Sequence, residues 1–304
     1  RAQMSMLPRL RPRTFYDLVV QVAIIRPGPI QGGLIHPFLK RREGVDRIVY
    51  PSKKLEPILR RTLGIPIFQE QVMRIAMAVG GFTAGEADEL RRKMGAWQLK
   101  GDLSDLLKKL EDGMRKEKIT EYFISQTLNQ LEAFSAYGFP ESHAASFALL
   151  AYVSSYLKCH HPDVFFVSLL NAMPMGFYSA HTLIQEVKRE GIEVRRICIL
   201  SSDYDHKLEK RLGCYTGAEN KPYALRLGFR LIKGLSQIGV EGLLAQRSKN
   251  ESVGKPWRSL EQLMSDFILD RADLVALAVA DVFKTFGVDR RQAIWKVHAA
   301  PLSQ

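Results

Sequence analysis

Apolar side chains recur at the spacing of amphipathic helices through most of residues 1–170, with short runs rich in proline and glycine between them. One such helix is predicted to place Val72, Ile75, Ala76 and Val79 on a single face and to end at the two glycines that follow. The pattern therefore predicts a multi-helix domain over this first part of the chain.

Several helix boundaries are predicted from local signals. Thr83 and Glu86 form a T-x-x-E capping box, which predicts the start of the helix that carries the run GEADELRRKMG. A break between helices is expected near Gly113, because glycine weakens a helix interior. Ser142 is expected to cap a long apolar helix that Pro162 ends, and that helix is predicted to lie in the core.

The character of the chain changes beyond about residue 190. The runs GIEVRRICILSS and YALRLGFRLIKGL have strand-like spacing and are rich in β-branched or aromatic residues. Two helical hairpins with glycine-containing turns follow, and 247–257 is the best candidate for a flexible loop. The predicted fold class is mainly α: a helical domain over 1–170, then a small mixed α/β segment and helical hairpins over 171–304.

Composition narrows the class of protein. The 304 residues are 46% apolar, enough for a large buried core, and no run approaches the roughly 20 apolar residues of a membrane span. Cys159, Cys198 and Cys214 are odd in number and widely spaced, which argues against a disulfide framework. We therefore expect a soluble, cytoplasmic protein. Because the chain begins at Arg1, we also expect it to be a piece of a longer polypeptide.

Positive charge is concentrated near the start of the chain. The formal net charge is +12, and residues 1–61 hold 13 Lys or Arg against 4 acids. A basic region of this kind suits a polyanion, because each cation that neutralises a phosphate releases counterions. Proteins that bind no polyanion can also be basic, so charge alone leaves both interpretations open.

The run Arg91, Arg92 and Lys93 raises the sharpest functional question. On a helix, Asp88 lies four residues before Arg92 and Glu89 four before Lys93, so ion pairs explain two of the three charges. Arg91 has only a share of Asp88. From spacing alone a solvated helix face is the simpler interpretation, and an anion-binding site is the alternative.

Other basic residues lie at loops and helix ends. Arg26 precedes a Pro-Gly-Pro loop, from which its guanidinium could hold phosphate oxygens or cap a carbonyl. Lys40, Arg41 and Arg42 are expected to contact a nucleic-acid backbone or to be ordinary surface.

Metal chemistry has little support. Cys159, His160 and His161 are adjacent and point in different directions, and no second ligand pair stands at zinc-finger spacing. Asp203 and Asp205 form a D-x-D pair that could bind Mg²⁺ in principle, but a surface turn is the favoured interpretation. We expect no metal site in this chain.

Six sequence blocks together resemble the fingers region of bacterial C-family DNA polymerases. The blocks are RPRTFYDLVVQVAIIRPGPIQGG, FQEQVMRIA, GEADELRRKM, YGFPESHAASFALLAY, LKCHHPDVF and NAMPMGFY. More narrowly, GFPESHAASFALL, KCHHP and MPMGFY resemble the error-prone branch of the DNA polymerase III alpha subunit family.

The resemblance implies nucleotidyl transfer from a deoxynucleoside triphosphate to a primer 3′-hydroxyl. Two Mg²⁺ ions are expected, held by aspartates of a palm that lies outside this chain. The error-prone branch implies damage-induced, mutagenic translesion synthesis. The family's L-R-R-x-M block falls on Arg91 and Arg92, which are expected to contact the triphosphate. Arg26, Ser142 and His143 are expected neighbours of the nucleotide or the template.

The resemblance also implies a helix-hairpin-helix region that grips duplex DNA, with contacts expected at Lys233, Gly234 and Gly239. Ser236 stands where a second glycine is common, a departure that weakens the expected phosphate nest. The implied partners are primer–template DNA, the nucleotide, and a sliding clamp reached through a Y-family-like accessory protein. The alternative function is a stand-alone basic DNA-binding module without catalytic activity.

Overall fold

The computed structural model describes residues 2–26, 29–30, 33–100, 104–137, 139–211, 222–266 and 269–300, with only the backbone of 94–100 and 130–137. Most of them are helical, so the prediction of a mainly α protein is confirmed. The helices are α1 (Ala2–Leu10), α2 (Phe15–Ile24), α3 (Ile35–Arg42), α4 (Glu56–Leu59), α5 (Gln69–Val79), α6 (Ala84–Lys100), α7 (Ser104–Lys116), α8 (Glu121–Tyr137), α9 (Glu141–His160), α10 (Pro162–Asn171), α11 (Ala180–Arg189), α12 (Gln237–Ser252), α13 (Leu260–Asp266), α14 (Arg271–Val279) and α15 (Arg290–Ala299).

The chain forms two compact units, 1–153 and 154–304. The functional division predicted at residue 170 stays a prediction. None of the described helices has both the length and the apolar character needed to cross a bilayer.

The first unit is a helical assembly around one apolar core, to which α1 to α9 all contribute buried side chains. The predicted apolar face of α5 is confirmed, since Val72, Ile75, Ala76 and Val79 are all buried. The capping box at the start of α6 is confirmed too. The Thr83 amide donates to Glu86 Oε2 at 2.8 Å, and the Glu86 amide donates to Thr83 Oγ1 at 3.3 Å.

The break expected near Gly113 is wrong, because α7 continues through this residue to Lys116. A Cβ at Gly113 would lie 2.3 Å from the carbonyl oxygen of Gly80, at the end of α5. The glycine therefore permits a close crossing of two backbones rather than ending a helix. The helix ends at Lys116, three residues beyond Gly113, before a turn in which Lys118 adopts a positive φ of 57°.

Helix α9 differs from its prediction in two respects. It begins at Glu141, so Ser142 lies inside its first turn and is not the cap. Its described apolar side chains are mostly on the surface, with only Ala144 and Ala148 buried, and Leu150 is 62% exposed. The prediction that α9 lies in the core is therefore wrong. A sequence of apolar residues specifies a helix, but which of its faces is covered depends on tertiary neighbours.

The second unit contains a small mixed sheet with strand order β1 (Val194–Arg195), β3 (Tyr223–Arg226), β2 (Lys207–Lys210). Strands β1 and β3 are parallel, with Val194 opposite Leu225, whereas β2 and β3 are antiparallel. The strand-like runs thus contain β1 and β3, although β1 is shorter than its run. Helices α10 and α11 pack on this sheet around a core that includes Phe166 and Val187.

The rest of the second unit consists of helices around a separate apolar core. The flexible loop expected at 247–257 is wrong, because α12 extends to Ser252 and Trp257 is 2% exposed. The Trp257 indole N–H donates to Asp266 at 3.1 Å, and this contact anchors the connection to α13. The polar, glycine-containing sequence suggested a mobile loop, but the buried side chain of Trp257 holds this segment against the core.

Candidate nucleotide and nucleic-acid contacts

Three of the predicted site residues meet at the start of α9. A cavity of about 640 Å³ is lined by Ser142 and His143 together with Phe139. The guanidinium of Arg26 lies 4.3 Å from the centre of the Phe139 ring, which is the geometry of a cation–π contact. The rings of Phe139 and His143 meet edge to face at 5.1 Å. Phe139 was not singled out in the sequence, although it lies within one of the recognised blocks.

The start of α9 is held by a polar network that reaches two other helices of the first unit. The Tyr16 hydroxyl on α2 donates to Glu141 Oε1 at 2.6 Å, and the Glu141 amide donates to Glu70 Oε2 on α5 at 3.0 Å. Burial, together with the bond to Glu141, raises the pKa of Tyr16 above its usual range, so the hydroxyl remains a neutral donor. Ser142 and His143 therefore project from a fixed helix end.

The cation run on α6 has the ion pairs that its spacing predicted. Arg92 Nε lies 3.1 Å from Asp88 Oδ2, and Lys93 Nζ lies 3.0 Å from Glu89 Oε1. Arg91 shares Asp88, through Nε at 3.0 Å and Nη2 at 2.9 Å from Oδ1. One carboxylate therefore orients two guanidinium groups. Both arginine side chains remain exposed, by 43% and 66% respectively.

Among the side chains that the structure describes, the residues at the start of α9 and the arginines of α6 have no recorded contact in common. Ser142 and His143 line one cavity, and Arg26 contacts the Phe139 ring that also lines it, whereas no recorded contact between described side chains joins Arg91 or Arg92 to it. The assignment of all five to nucleotide binding stays a prediction.

Lys40, Arg41 and Arg42, the predicted contacts to a nucleic-acid backbone, differ in how far their side chains are engaged within the protein. Arg42 donates from Nε to the Leu10 carbonyl at 2.7 Å and from Nη1 to Asp17 at 2.6 Å, so its guanidinium has a structural role. Arg41 Nη1 donates to a loop carbonyl at 2.8 Å and also lines an open cavity. Lys40 is exposed at the end of α3. Their role in DNA binding stays a prediction.

The hairpin before α12 is held by a carboxylate that the sequence did not reveal. Gly234 has a positive φ of 80°, as a tight turn requires, and Lys233 beside it is exposed. The Ser236 amide donates to Asp273 Oδ1 at 2.8 Å, and its hydroxyl donates to Asp273 Oδ2 at 2.6 Å. A Cβ at Gly239 would lie 2.3 Å from the same carboxylate, so this position needs glycine.

Asp273 has a consequence for phosphate binding at this hairpin. A helix N-terminus attracts anions through unpaired amides and the helix dipole. Here the Ser236 amide is already occupied, the Gly239 amide donates to Ser236 Oγ at 3.0 Å, and a buried negative charge lies beside them. Ser236, which replaces the usual glycine, therefore binds the carboxylate of Asp273 at the position where a phosphate was expected.

The candidate D-x-D pair is committed to ion pairs. Asp203 pairs with Lys207 and Arg247, both at 2.7 Å, and Asp205 pairs with Arg230 at 2.6 Å. Within the described residues, no group of three or more His, Cys, Asp or Glu side chains is arranged to hold a metal ion.

Comparison with known proteins covers both units. Residues 1–118 match the family model described as the bacterial DNA polymerase III alpha subunit finger domain, and residues 191–293 match a helix-hairpin-helix motif. The chain is 50% identical to the error-prone DNA polymerase of Methylococcus capsulatus, over 97% of the chain and 29% of that protein. It is 48% identical to the error-prone DNA polymerase of Alkalilimnicola ehrlichii and 49% identical to that of Burkholderia mallei.

The two latter matches cover 99% and 100% of the chain and 28% of each relative. The chain therefore spans less than a third of the length of the curated relatives it matches.

Proposed function

We propose that this chain, which belongs to the bacterial DNA polymerase III alpha subunit family, forms the fingers and helix-hairpin-helix part of an error-prone DNA polymerase. The observation that carries the proposal is the sequence identity of about 50% to an error-prone DNA polymerase. That alignment covers 97% of the chain and so includes both the finger-domain match and the helix-hairpin-helix match. The reaction is transfer of a nucleotide from a deoxynucleoside triphosphate to a primer 3′-hydroxyl on a DNA template.

Arg91 and Arg92 supply positive charge to the triphosphate of the incoming nucleotide. Exposed ion pairs contribute about 0–1 kcal/mol, so exchanging Asp88 for phosphate oxygens costs little. Arginine binds phosphate through two parallel hydrogen bonds, which are stronger than neutral ones. Asp88 holds both guanidinium groups until a nucleotide arrives, and the arginines then stabilise charge on the leaving pyrophosphate.

The cavity at the start of α9 suits a ring-shaped ligand. His143 offers an exposed ring, Arg26 offers a cation held against the buried Phe139 ring, and Ser142 offers a hydroxyl. Stacking on such a surface tolerates every base, since every base has a π face. We assign this cavity to the nucleotide or to the template base opposite it.

Mg²⁺ supplies Lewis-acid chemistry to this reaction in the intact enzyme, and we place its ligands outside the residues described. No step is assigned to a metal within this chain, because its candidate carboxylates are paired with cations. Damage-induced translesion synthesis, a cytoplasmic location and a sliding clamp reached through a Y-family-like partner belong to the same proposal. They are supported by the similarity to error-prone polymerases.

The test uses the full-length polymerase that contains this chain. Substitution of Arg91→Ala with Arg92→Ala is expected to raise the KM for nucleotide by about tenfold to a hundredfold. This follows from the loss of charge-assisted bonds worth about 1.5–3 kcal/mol each, moderated by non-additivity. The Kd for primer–template DNA should change by less than about threefold.

Lys93→Ala is the matched control, since it removes a neighbouring cation that has its own partner, Glu89. Equal effects of the double substitution on KM and on DNA binding would contradict the assignment of the arginines. A full-length protein that binds DNA but extends no primer would instead support the stand-alone binding module.

A further inference from the structure

A cavity of about 780 Å³ in the first unit is lined by five arginines. Arg9 lies at the end of α1, Arg11 and Arg13 flank Pro12 in the turn to α2, and Arg41 and Arg42 lie at the end of α3. Residues from distant parts of the sequence thus place their positive charges around one open space.

The charge around this cavity is not balanced. Asp17 and Glu43 are its acidic lining residues, against five arginines. One recorded ion pair joins lining residues, between Arg42 and Asp17 at 2.6 Å. No hydrogen bond or ion pair is recorded from the guanidinium groups of Arg9 and Arg13 to the part of the chain that the structure describes.

A second basic cavity, in the other unit, differs because its arginines are paired with acids. It is lined by Arg195, Arg196 and Arg226. Glu209 accepts from Arg195 at 2.9 Å and from Arg226 at 2.9 Å. Arg196 lies 3.7 Å from an aspartate. That cluster is internally neutralised, whereas the arginine cavity of the first unit leaves its charge unmatched.

The turn that carries the arginines is held rigidly. Arg42 donates from Nη2 to the Arg11 carbonyl at 3.1 Å, and Arg11 has a positive φ of 47°. Asp17 Oδ2 accepts from the amides of Arg13 at 2.8 Å and Thr14 at 2.9 Å. A non-glycine residue in the left-handed region is uncommon and persists where its surroundings fix it.

The same contacts explain why Asp17 does not neutralise the cavity. Burial acts to raise the pKa of Asp17, but the hydrogen bonds from Arg42 and from the amides of Arg13 and Thr14 outweigh it and hold the pKa well below its usual range. Asp17 is therefore charged, and that charge is already shared among Arg42 and two amides. The side chains of Arg9 and Arg13 remain for another anion.

We propose that the arginine cavity formed by Arg9, Arg11, Arg13 and Arg41 binds phosphates of the DNA backbone. The proposal deepens the proposed function and rests on it, because DNA is the polyanion that a polymerase handles. It also changes the role given to the α3 cations: Arg42 builds the cavity and Arg41 lines it. Several guanidinium groups spread around an open cavity can contact several phosphates of a DNA backbone, whereas a ligand with a single carboxylate would leave most of them without a partner.

The test measures the salt dependence of DNA binding by the 304-residue chain, with fluorescently labelled primer–template duplex and anisotropy detection. Each phosphate contact to duplex DNA contributes about 0.9 to the slope of log Kobs against log salt. Arg9→Ala with Arg13→Ala should therefore reduce the slope by about 1.8. The variant Arg9→Lys with Arg13→Lys should retain most of the slope, because it keeps both charges.

Arg74→Ala with Lys108→Ala is the matched control, since both residues are exposed cations of the same unit outside the cavity. Its slope should equal that of the unmodified chain. Unchanged helical circular dichroism and thermal midpoint exclude loss of folding as a cause. An equal reduction in the control, or no reduction with Arg9→Ala and Arg13→Ala, would overturn the proposal.

Two further outcomes separate the possible failures. A chain that binds no primer–template DNA at all overturns the proposed function itself, whereas a binding chain whose slope ignores Arg9 and Arg13 overturns only the cavity. Inorganic pyrophosphate that displaces DNA from the unmodified chain, but not from the Arg9→Ala, Arg13→Ala variant, would assign the cavity to free phosphates and overturn the assignment to the DNA backbone.

Discussion

Replacing Gly113 by alanine tests the close crossing of α5 and α7. The new Cβ would lie 2.3 Å from the Gly80 carbonyl oxygen, 2.5 Å from its carbonyl carbon and 2.6 Å from its Cα. All three are backbone atoms, so no side-chain rotation relieves the overlap and one helix must move. The crossing is tight on the other side as well, since a Cβ at Gly80 would lie 2.5 Å from Leu110 Cδ1.

Two opposing terms set the expected magnitude. Forcing extra volume into a packed contact typically costs about 1–3 kcal/mol. Alanine in a helix interior gains about 0.5–1 kcal/mol over glycine. Because the overlap is with backbone atoms, the cost should lie at the upper end of its range, and the free energy of unfolding of Gly113→Ala should fall by about 2–2.5 kcal/mol.

Gly85→Ala is the matched control for this substitution. Gly85 also lies in a helix, in the first turn of α6, but a Cβ there meets no atom within 4 Å. The propensity gain acts alone in this case, so the free energy of unfolding should stay level or rise by up to about 1 kcal/mol. The two glycine-to-alanine changes should thus have opposite signs.

Urea denaturation followed by far-UV circular dichroism measures both variants. Hydrogen exchange by mass spectrometry on peptides of α5 and α7 assigns the change to the crossing. If Gly113→Ala were as stable as the Gly85→Ala control, the helices would not be held in backbone contact at this point.

Two further predictions concern the second unit and use urea denaturation monitored by tryptophan fluorescence. Burial lowers the pKa of His206 from 6.5 to about 4. As the pH falls, this histidine is therefore protonated in the unfolded chain at a higher pH than in the folded chain. Stability should fall as pH falls from about 6.5 to about 4, and His206→Asn but not His181→Asn should remove this loss. Asp273→Asn should destabilise the unit by about 1–3 kcal/mol, because it leaves the bonds to Ser236 incompletely paired. The exposed Asp270→Asn should change stability much less, and equal effects would remove the role given to the hairpin carboxylate.

Part of the candidate site could be predicted from residue spacing. The pairing of Asp88 with Arg92, and of Glu89 with Lys93, follows from i,i+4 geometry on a single helix and is confirmed. Spacing could not determine whether Arg91 and Arg92 form a solvated face or a phosphate site. The same exposed pair fits both, so the proposed phosphate contact of Arg91 and Arg92 rests on the resemblance to a family and stays a prediction.

Other features depend on residues that are far apart in the chain. Arg26 and Phe139 are separated by more than a hundred residues, as are Tyr16 and Glu141, yet both pairs are in contact. No local pattern signals such partners, because a side chain's neighbours across the core leave no periodicity in its own segment. Asp273 was missed for this reason.

The sequence by itself determined the local features of this protein: the helical periodicity of the first unit, the capping box at Thr83, the excess of positive charge and the family blocks. These depend on residues within a few positions of one another. Only the tertiary structure decided which surfaces are covered and which charges meet. It placed a glycine at a backbone crossing, left α9 exposed, and brought arginines from α1, the following turn and α3 around one cavity. The physical reason is that burial and charge neutralisation are set by distance in space, which the order of residues along the chain does not specify.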